Sequence, residues 1–345
     1  MYTARNLQVS HPEVSFKDIL LVPYDDGPCT IPSRNSPDIS SEIAPTVKIN
    51  VPLISSPMDT VTGPDMMLAL SHCGALGIHT RYINEPDECK MQVHNIRKIR
   101  DRMNGPIACA LGVKFDQKHV ENLIDAGVTI FCLDIQNANH TFMRNAIQTL
   151  KCYQDATDIS IIAGNVATPH AAHRLVEWGA DTIKIGIGPG AACTTRRVTG
   201  FGVPQFAAIM SIHNSLVEWG RREEVRLIAD GGCRNTGDFV KTLWAGADTV
   251  MCGWMFAGHD ECPMPTSYRG MSSRTVSHRN DVAPEGIDMT LARRGPVANT
   301  LQQYAAAIRS ACSMANARSL DELRNNVHAI RVSTLTQAES DPLQD

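Results

Sequence analysis

The chain has 345 residues, a formal net charge of −4, 43% hydrophobic residues and 20% charged residues. This composition supports a sizeable packed core, and it excludes both a disordered chain and a fibrous one. Lysine and arginine (32) do not outnumber aspartate and glutamate (36), there is no basic block, and no apolar run is long enough for a membrane span, so we expect a soluble cytoplasmic protein without a nucleic-acid partner.

Eight short apolar or β-branched runs recur along the chain at fairly even spacing, and we predict each of them as a strand. They cover residues 52–57, 74–79, 107–113, 129–135, 160–166, 182–188, 225–232 and 249–254. Amphipathic stretches between them are predicted as helices over residues 88–103, 118–127, 140–154, 169–179, 204–222, 235–246 and 299–314. Several strands are nearly apolar along their whole length, which favours a parallel sheet covered by helices.

The predicted fold class is α/β, as a (β/α)₈ barrel in a single domain over residues 1–345. An open doubly wound sheet is the competing architecture, but no GxGxxG fingerprint follows the first strand. Residues 1–50 lack a clear period and are predicted as an N-terminal extension. Residues 257–297, rich in Pro, Gly, Ser and Arg, separate the eighth strand from its helix, and so long a connection predicts a flap over an active site.

The eleven cysteines are an odd number without a CxxC pair, which favours a reduced intracellular protein over a disulfide framework. Cys109, Cys132 and Cys252 lie inside apolar runs and should pack as small hydrophobic side chains. A different environment is expected for Cys193. It follows the sixth strand in a Gly-rich loop whose amides and carbonyls can face a phosphate or a cation, and Arg196 and Arg197 beside it would favour the thiolate.

Polar residues also follow other strands at the same end of the barrel, where the chemistry of such barrels lies. Asp230 and the glycines after the seventh strand can bind ribose hydroxyls and phosphate. Ser56 and Met58 follow the first strand, and Asn165 ends the fifth. Taken alone, the Gly-rich loop of Cys193 is equally well explained as a turn that contains a cysteine by chance. The Gly-rich loop of Asp230 is equally well explained as a turn with a helix-capping aspartate. Polar residues after four strands at one end of the barrel, however, together predict a binding site.

Six motifs together resemble those of the IMP dehydrogenase and GMP reductase family, from near the N-terminus to about residue 332. They are FKDILL at 16–21, SSPMDTV at 55–61, GNV at 164–166, GPGAACTTR at 188–196, ADGG at 229–232 and YRGM at 268–271. The resemblance implies a (β/α)₈ barrel, usually a homotetramer, in which the loop cysteine adds to C2 of a purine nucleotide and a hydride passes to or from a nicotinamide cofactor.

Matching positions then have implied roles. Cys193 is the implied nucleophile, which forms a covalent thioimidate with the base. The implied substrate-binding set, around base, ribose and phosphate, is Ser56, Met58, Asn165, Asp230, Gly232, Gly253, Trp254, Tyr268, Gly270 and Met271. The implied cofactor-binding set is Asp134, Asn137 and Ala138. The backbone carbonyls of Gly186, Gly188 and Cys193 are implied ligands of a monovalent cation such as K⁺.

The two branches of the family differ in the fate of the covalent intermediate. A dehydrogenase hydrolyses it with the help of an Arg-Tyr pair on the flap, and residues 272–280 contain arginines but no such pair. A reductase expels ammonia, receives a hydride from NADPH and protonates the leaving amine with a Thr-Glu pair, whose places Thr195 and Glu285 occupy. The segments 257–261, 294–297, 309–312 and 330–332 favour the same branch. The second and third strands are also too close for the regulatory CBS pair of most dehydrogenases, so the sequence favours a GMP reductase without CBS domains.

Three alternatives stay open: a CBS-less IMP dehydrogenase in which Arg274 or Arg279 activates water, a divergent reductase for a modified purine nucleotide or a nucleoside, and a non-catalytic nucleotide-binding protein. The divergent reductase is suggested by Ala191, where relatives have a phosphate-binding Ser, and by Trp254, where they have Gly or Ser. A lost hydrogen bond to a charged group costs about 1.5–3 kcal/mol, so a 5′-phosphate would bind more weakly. Relatives have a Gly at the position of Ala138, and an Ala there restricts the backbone conformation. NADH therefore stays an alternative to NADPH as the cofactor.

Overall fold

Eight parallel strands form a closed barrel in the computed structural model, which describes residues 14–83, 87–154, 156–277, 283–333 and 336. Each strand pairs with the next along the chain, and the last pairs with the first. In chain order the barrel strands are Leu53–Ser55, Leu76–His79, Ala108–Leu111, Ile130–Asp134, Ser160–Val166, Thr182–Ile185, Arg226–Asp230 and Thr249–Cys252. The eight predicted strands and the predicted (β/α)₈ barrel are confirmed.

Helices cover the outside of the barrel. They are Pro64–His72, Glu88–Ile99, Gln117–Ala126, Thr141–Gln154, Pro169–Trp178, Gln205–Glu218, Thr236–Trp244 and Val297–Met314. The seven predicted helices are confirmed, and Pro64–His72 is an addition. It does not show the amphipathic pattern because it is buried on several sides: Met66, Met67 and Leu70 are all inaccessible to solvent.

The interior of the barrel is a packed apolar core that is closed at the N-terminal end by a hairpin. The hairpin strands Ser41–Ala44 and Val47–Ile49 belong to the predicted extension and place Ile43 and Ile49 under the strands. The hydroxyl of Thr182, on the sixth strand, donates to the Ile43 carbonyl at 2.6 Å. The interior is therefore filled by side chains, and ligands must bind at the open C-terminal end.

Buried ion pairs stabilise the N-terminal face. Asp248, just before the eighth strand, accepts hydrogen bonds from Arg222 at 2.8 and 2.9 Å and lies 3.6 Å from Arg324. Burial raises the pKa of Asp248, but the two arginines lower it by more, so the net shift is downward. A cavity of about 960 Å³ opens at this face. Its arginines, Arg222, Arg226 and Arg324, already donate to carboxylates and carbonyls, which indicates a structural role.

The remaining elements flank the barrel. The strand Ile19–Leu21 pairs antiparallel with Ala329–Arg331, after a last helix at Leu320–Asn326. The predicted flap contains an antiparallel ribbon, Ser267–Arg269 with Asp288–Thr290, and a short helix, Arg274–Ser277. Arg279 lies outside the described residues. Within the described part of the chain, no helix has the length and apolar character needed to cross a membrane.

Candidate active site

A cavity of about 800 Å³ opens at the C-terminal end of the barrel. Its walls come from the loops after the first, fourth, sixth, seventh and eighth strands and from the flap. Twelve predicted site residues line it: Ser56, Met58, Asp134, Gly188, Cys193, Asp230, Gly232, Gly253, Trp254, Tyr268, Gly270 and Met271. The structure thus brings most of the predicted site together, around a space large enough for a nucleotide.

Cys193 faces this cavity and is half-buried. Among the described residues that line the cavity, Cys233 and Cys252 are the other cysteines, and both are buried. Burial raises the pKa of the Cys233 thiol well above its usual value and raises the pKa of Cys252 to about 11, so both stay protonated near neutral pH. Cys193 is therefore the cavity thiol best placed to react. All eleven cysteines are unpaired, and Cys109, Cys132 and Cys252 are buried as predicted.

The flap packs directly on the loop that carries Cys193. Cys193 and Gly286 form an antiparallel β-bridge, and the Thr194 amide donates to the Glu285 carbonyl at 2.9 Å. Gly270, on the opposite flap strand, approaches so closely that a Cβ there would lie 2.9 Å from the Gly286 Cα. The flap therefore holds the backbone of the loop from which the Cys193 side chain projects.

The flap is also tied to the barrel at its base. Arg269 donates from Nε to the Asp59 carboxylate at 2.9 Å and makes a second, shorter bond from Nη2. Asp59 belongs to the loop after the first strand, beside Ser56 and Met58. This ion pair, in which both side chains are mostly buried, holds the flap over the cavity.

Thr195 contacts the Cys193 sulfur directly, and a third residue, Gln136, joins Thr195 to Glu285. The Cys193 Sγ lies 3.1 Å from the Thr195 Oγ1. The Gln136 Nε2 donates to the Thr195 Oγ1 at 3.2 Å and also to the Glu285 carboxylate. Gln136 is not among the residues predicted from the sequence, because a single amide in the loop after the fourth strand has no distinguishing pattern. The structure places an amide between the two predicted acid–base residues.

A buried lysine joins the two carboxylates that line the cavity. Lys184 is 1% exposed, and its Nζ lies 2.8 Å from the Asp134 Oδ1 and 2.7 Å from the Asp230 Oδ2. It also donates to the side-chain carbonyl of Asn165, whose Nδ2 donates to Asp230 at 2.9 Å. Burial lowers the pKa of Lys184, but the two carboxylates raise it by more, so the ammonium stays charged.

Lys184 is not among the residues predicted from the sequence either, although its position in the sequence indicates a buried charge. A lysine inside a strand as apolar as Thr182–Ile185 must be buried, and a buried ammonium requires partners of opposite charge. The sequence does not show which carboxylates provide that charge, since Asp134 and Asp230 are far from Lys184 along the chain.

One end of the cavity is closed by aromatic side chains. Trp254 packs edge-on against Tyr268 with ring centroids 5.5 Å apart, and the Arg294 guanidinium lies 5.0 Å from the Trp254 ring. A Cβ on Gly253 would lie 2.5 Å from the Met58 Sδ and 2.7 Å from the Tyr268 Oη, so a larger residue there would displace these two side chains. Burial raises the pKa of Tyr268, which keeps its hydroxyl protonated as a hydrogen-bond donor.

The predicted cofactor residues separate. Asp134 lines the main cavity, whereas Asn137 lines a second cavity of about 380 Å³ together with Gln136, Thr195 and Phe201. Ala138 is fully buried, and its amide donates to the Asn165 carbonyl at 2.8 Å. Ala138 is absent from the described linings of both cavities, so its side chain supports the loop and does not face a ligand there.

The carbonyls predicted to bind a monovalent cation lie in a loop that already contains protein donors. The Gly186 carbonyl accepts a hydrogen bond from the Asn165 Nδ2 at 2.6 Å. The guanidinium of Arg196 donates to the neighbouring Ile187 carbonyl at 3.4 Å and to the Val203 carbonyl at 2.5 Å. These side-chain donors compete with a cation for carbonyl oxygens of the loop. The cation site at Gly186, Gly188 and Cys193 stays a prediction.

Fold and site together define a (β/α)₈ barrel with a half-buried cysteine at its C-terminal end and, in the same cavity, two carboxylates joined by a buried lysine. Residues 13–343 match the family model described as IMP dehydrogenase / GMP reductase domain. The chain belongs to this family, which confirms the resemblance that the six motifs indicate.

Some relatives are named as inosine-5′-monophosphate dehydrogenases and another as a GMP reductase. The chain is 34% identical over 283 residues to the inosine-5′-monophosphate dehydrogenase of Chlorobaculum tepidum, covering 74% of this chain and 54% of that protein. It is 33% identical over 274 residues to the GMP reductase of Leishmania donovani, covering 73% and 55%. With the inosine-5′-monophosphate dehydrogenase of Cryptosporidium parvum it shares 30% identity over 388 residues, 95% of this chain and 94% of that one. The chain thus spans about half the length of several of these relatives.

Proposed function

We propose that the protein is an NADPH-dependent oxidoreductase of the GMP reductase type, which converts GMP to IMP and ammonia through a covalent adduct on Cys193. The observation that supports this proposal most directly is the grouping of Cys193, Thr195 and Glu285: the sulfur lies 3.1 Å from the Thr195 hydroxyl, and Gln136 joins that hydroxyl to the carboxylate. A nucleophile beside an acid–base pair is what expulsion of an amine requires.

The residues present fit a nicotinamide cofactor. Asp134 offers a carboxylate to ribose hydroxyls at the main cavity. The second cavity, about 380 Å³, includes Thr195, whose hydroxyl lies next to the reactive sulfur. Gln136 and Asn137 supply amide donors and acceptors in that cavity. When bound, the cofactor supplies a hydride, and the flap residues exclude water from the reacting atoms.

The bonds, protons and electrons of the proposed reaction balance with the groups that the protein, the nucleotide and NADPH supply. The Cys193 thiolate adds to C2 of guanine, and the C2–N bond breaks as Thr195 and Glu285 deliver a proton to the leaving amine. The resulting thioimidate accepts a hydride at C2, and the C2–S bond then breaks to return the thiolate. One NADPH and two protons are consumed for each IMP and ammonium formed. Asp230 holds the ribose during both steps, and Lys184 holds Asp230.

The decisive test is to incubate the protein with GMP and NADPH and to follow the nicotinamide absorbance together with ammonia release. We expect the two to change in equal amounts. Oxidation of IMP with NAD, without ammonia release from GMP, would instead identify a dehydrogenase. That activity is favoured by the names of most relatives, and the exposed Arg274 on the flap helix would then be examined as the residue that activates water.

Trp254 supports a second candidate, a reductase for a purine nucleoside or for a nucleotide without an ordinary 5′-monophosphate. Its indole, held between Tyr268 and Arg294, fills space at the end of the cavity that the resemblance assigns to phosphate, and Ala191 offers no hydroxyl there. We expect guanosine to bind at least as tightly as GMP, and Trp254→Ser to improve GMP binding about tenfold, the effect of one hydrogen bond to a charged group. Calorimetric titration of both ligands decides, and a clear preference of the wild type for GMP contradicts this candidate.

A further inference from the structure

Gln136 is held rigidly at its base. It follows the fourth strand, and the residue before it, Ile135, donates from its amide to the Gly164 carbonyl at 3.0 Å and accepts from the Asn165 amide at 2.7 Å. Two residues later, the Ala138 amide donates to the Asn165 carbonyl at 2.8 Å. The backbone is therefore fixed to the fifth strand on both sides of Gln136, so that its side chain starts from a defined point.

The Gln136 side chain joins segments that are far apart in sequence. Its Nε2 bonds to Thr195, on the loop after the sixth strand, and to Glu285, on the flap. The described hydrogen bonds between the flap and that loop at this point are otherwise backbone contacts, from Thr194 to Glu285 and from Ile287 to Ala192. Backbone contacts hold the flap chain but leave the Glu285 side chain free to rotate. Among the described residues, Gln136 is the one whose side chain bonds to the Glu285 carboxylate.

The chemistry of an amide determines what this bridge can do. Its nitrogen is a donor only, so the Thr195 oxygen and a carboxylate oxygen of Glu285 both accept from it. The Thr195 hydroxyl keeps its own hydrogen when its oxygen accepts from Gln136, and that oxygen lies 3.1 Å from the Cys193 sulfur. An amide neither gains nor loses a proton near neutral pH. Gln136 therefore orients reacting groups and does not itself exchange protons.

We infer that Gln136 is a positioning residue that holds Glu285 and Thr195 in register with the Cys193 sulfur. This inference rests on the proposed function, because it assigns Gln136 to the step in which the leaving amine is protonated. It also makes the loop after the fourth strand, rather than the flap alone, responsible for the geometry of that step.

The experiment compares Gln136→Leu, which keeps most of the volume, and Gln136→Glu, which keeps the shape but replaces the donor by an acceptor facing Glu285. Gln148→Leu, an exposed position on the helix Thr141–Gln154, is the matched control. We expect kcat to fall about tenfold in the leucine variant and further in the glutamate variant. The KM for the purine nucleotide should stay within about twofold, because the described lining of the main cavity does not include Gln136.

Hydrogen–deuterium exchange of the flap peptide over residues 283–290, in the protein without ligands, provides a readout that does not depend on turnover. We expect exchange several-fold faster in both Gln136 variants and unchanged in Gln148→Leu. If the wild type turns over but kcat and flap exchange are unchanged in both Gln136 variants, the inference is wrong and the proposed function stands. If the wild type is inactive on purine nucleotides, the proposed function fails, and faster flap exchange still reports the bridge itself.

Discussion

Cys193→Ala is expected to abolish turnover while GMP still binds within about threefold of the wild-type affinity. The side chain contributes little to a pocket lined by more than twenty residues, but it supplies the covalent bond between protein and base on which the proposed reaction depends. Removal of a nucleophile from a covalent mechanism lowers kcat by roughly 10⁴-fold or more. Stopped-flow assays of NADPH consumption and calorimetric titration with GMP measure the two effects separately.

The matched control is Cys152→Ala, which removes an exposed thiol on an outer helix and should leave kcat unchanged. Intact-protein mass spectrometry during turnover should show a purine nucleotide adduct on the wild type and on the control, but not on Cys193→Ala. Turnover that survives in Cys193→Ala would rule out the covalent mechanism, whatever the family of the chain.

The barrel could be predicted from the sequence because its strands are buried on both faces. Each strand then appears as a continuous apolar run, and the amphipathic helices mark the crossovers between runs. The helix Pro64–His72 escaped this pattern since most of its side chains are buried and its exposed face is narrow, with Asp65 and His72 at its two ends. The hairpin of Ser41–Ala44 and Val47–Ile49 could not be predicted either, because its strands are too short to show an alternation of apolar and polar residues.

The site residues also divide into those that could be predicted from the sequence and those that could not. Cys193, Asp230 and Tyr268 lie in motifs with a recognisable order, so the resemblance located them. Gln136 and Lys184 contact carboxylates that are 46 to 149 residues away along the chain, and a single sequence contains no information on which distant carboxylate a side chain will meet. The cofactor role of Ala138 stays a prediction, and the structure adds that its side chain is buried.

Lys184→Met is expected to weaken both ligands at once. The substitution keeps the length of the side chain but removes the charge that holds Asp134 and Asp230. Each carboxylate loses a bond to a cation and gains a like-charged neighbour, so neither is held in place for the ribose that the proposal assigns to it. We expect the KM for the purine nucleotide and the KM for NADPH to rise by about tenfold or more each, as the loss of a charged hydrogen bond predicts.

Single-carboxylate variants distinguish this linking role from a general loss of structure. Asp134→Asn should raise the KM for NADPH alone, and Asp230→Asn that for the purine nucleotide alone, whereas Lys184→Met raises both. Lys98→Met, on an exposed helix face, is the control. The two carboxylates are 23% and 21% exposed, so water can solvate them after the lysine is lost, and the melting temperature should fall by only about 2–6 °C. A much larger fall with unchanged KM values in the folded fraction would mean that Lys184 serves the barrel and not the ligands.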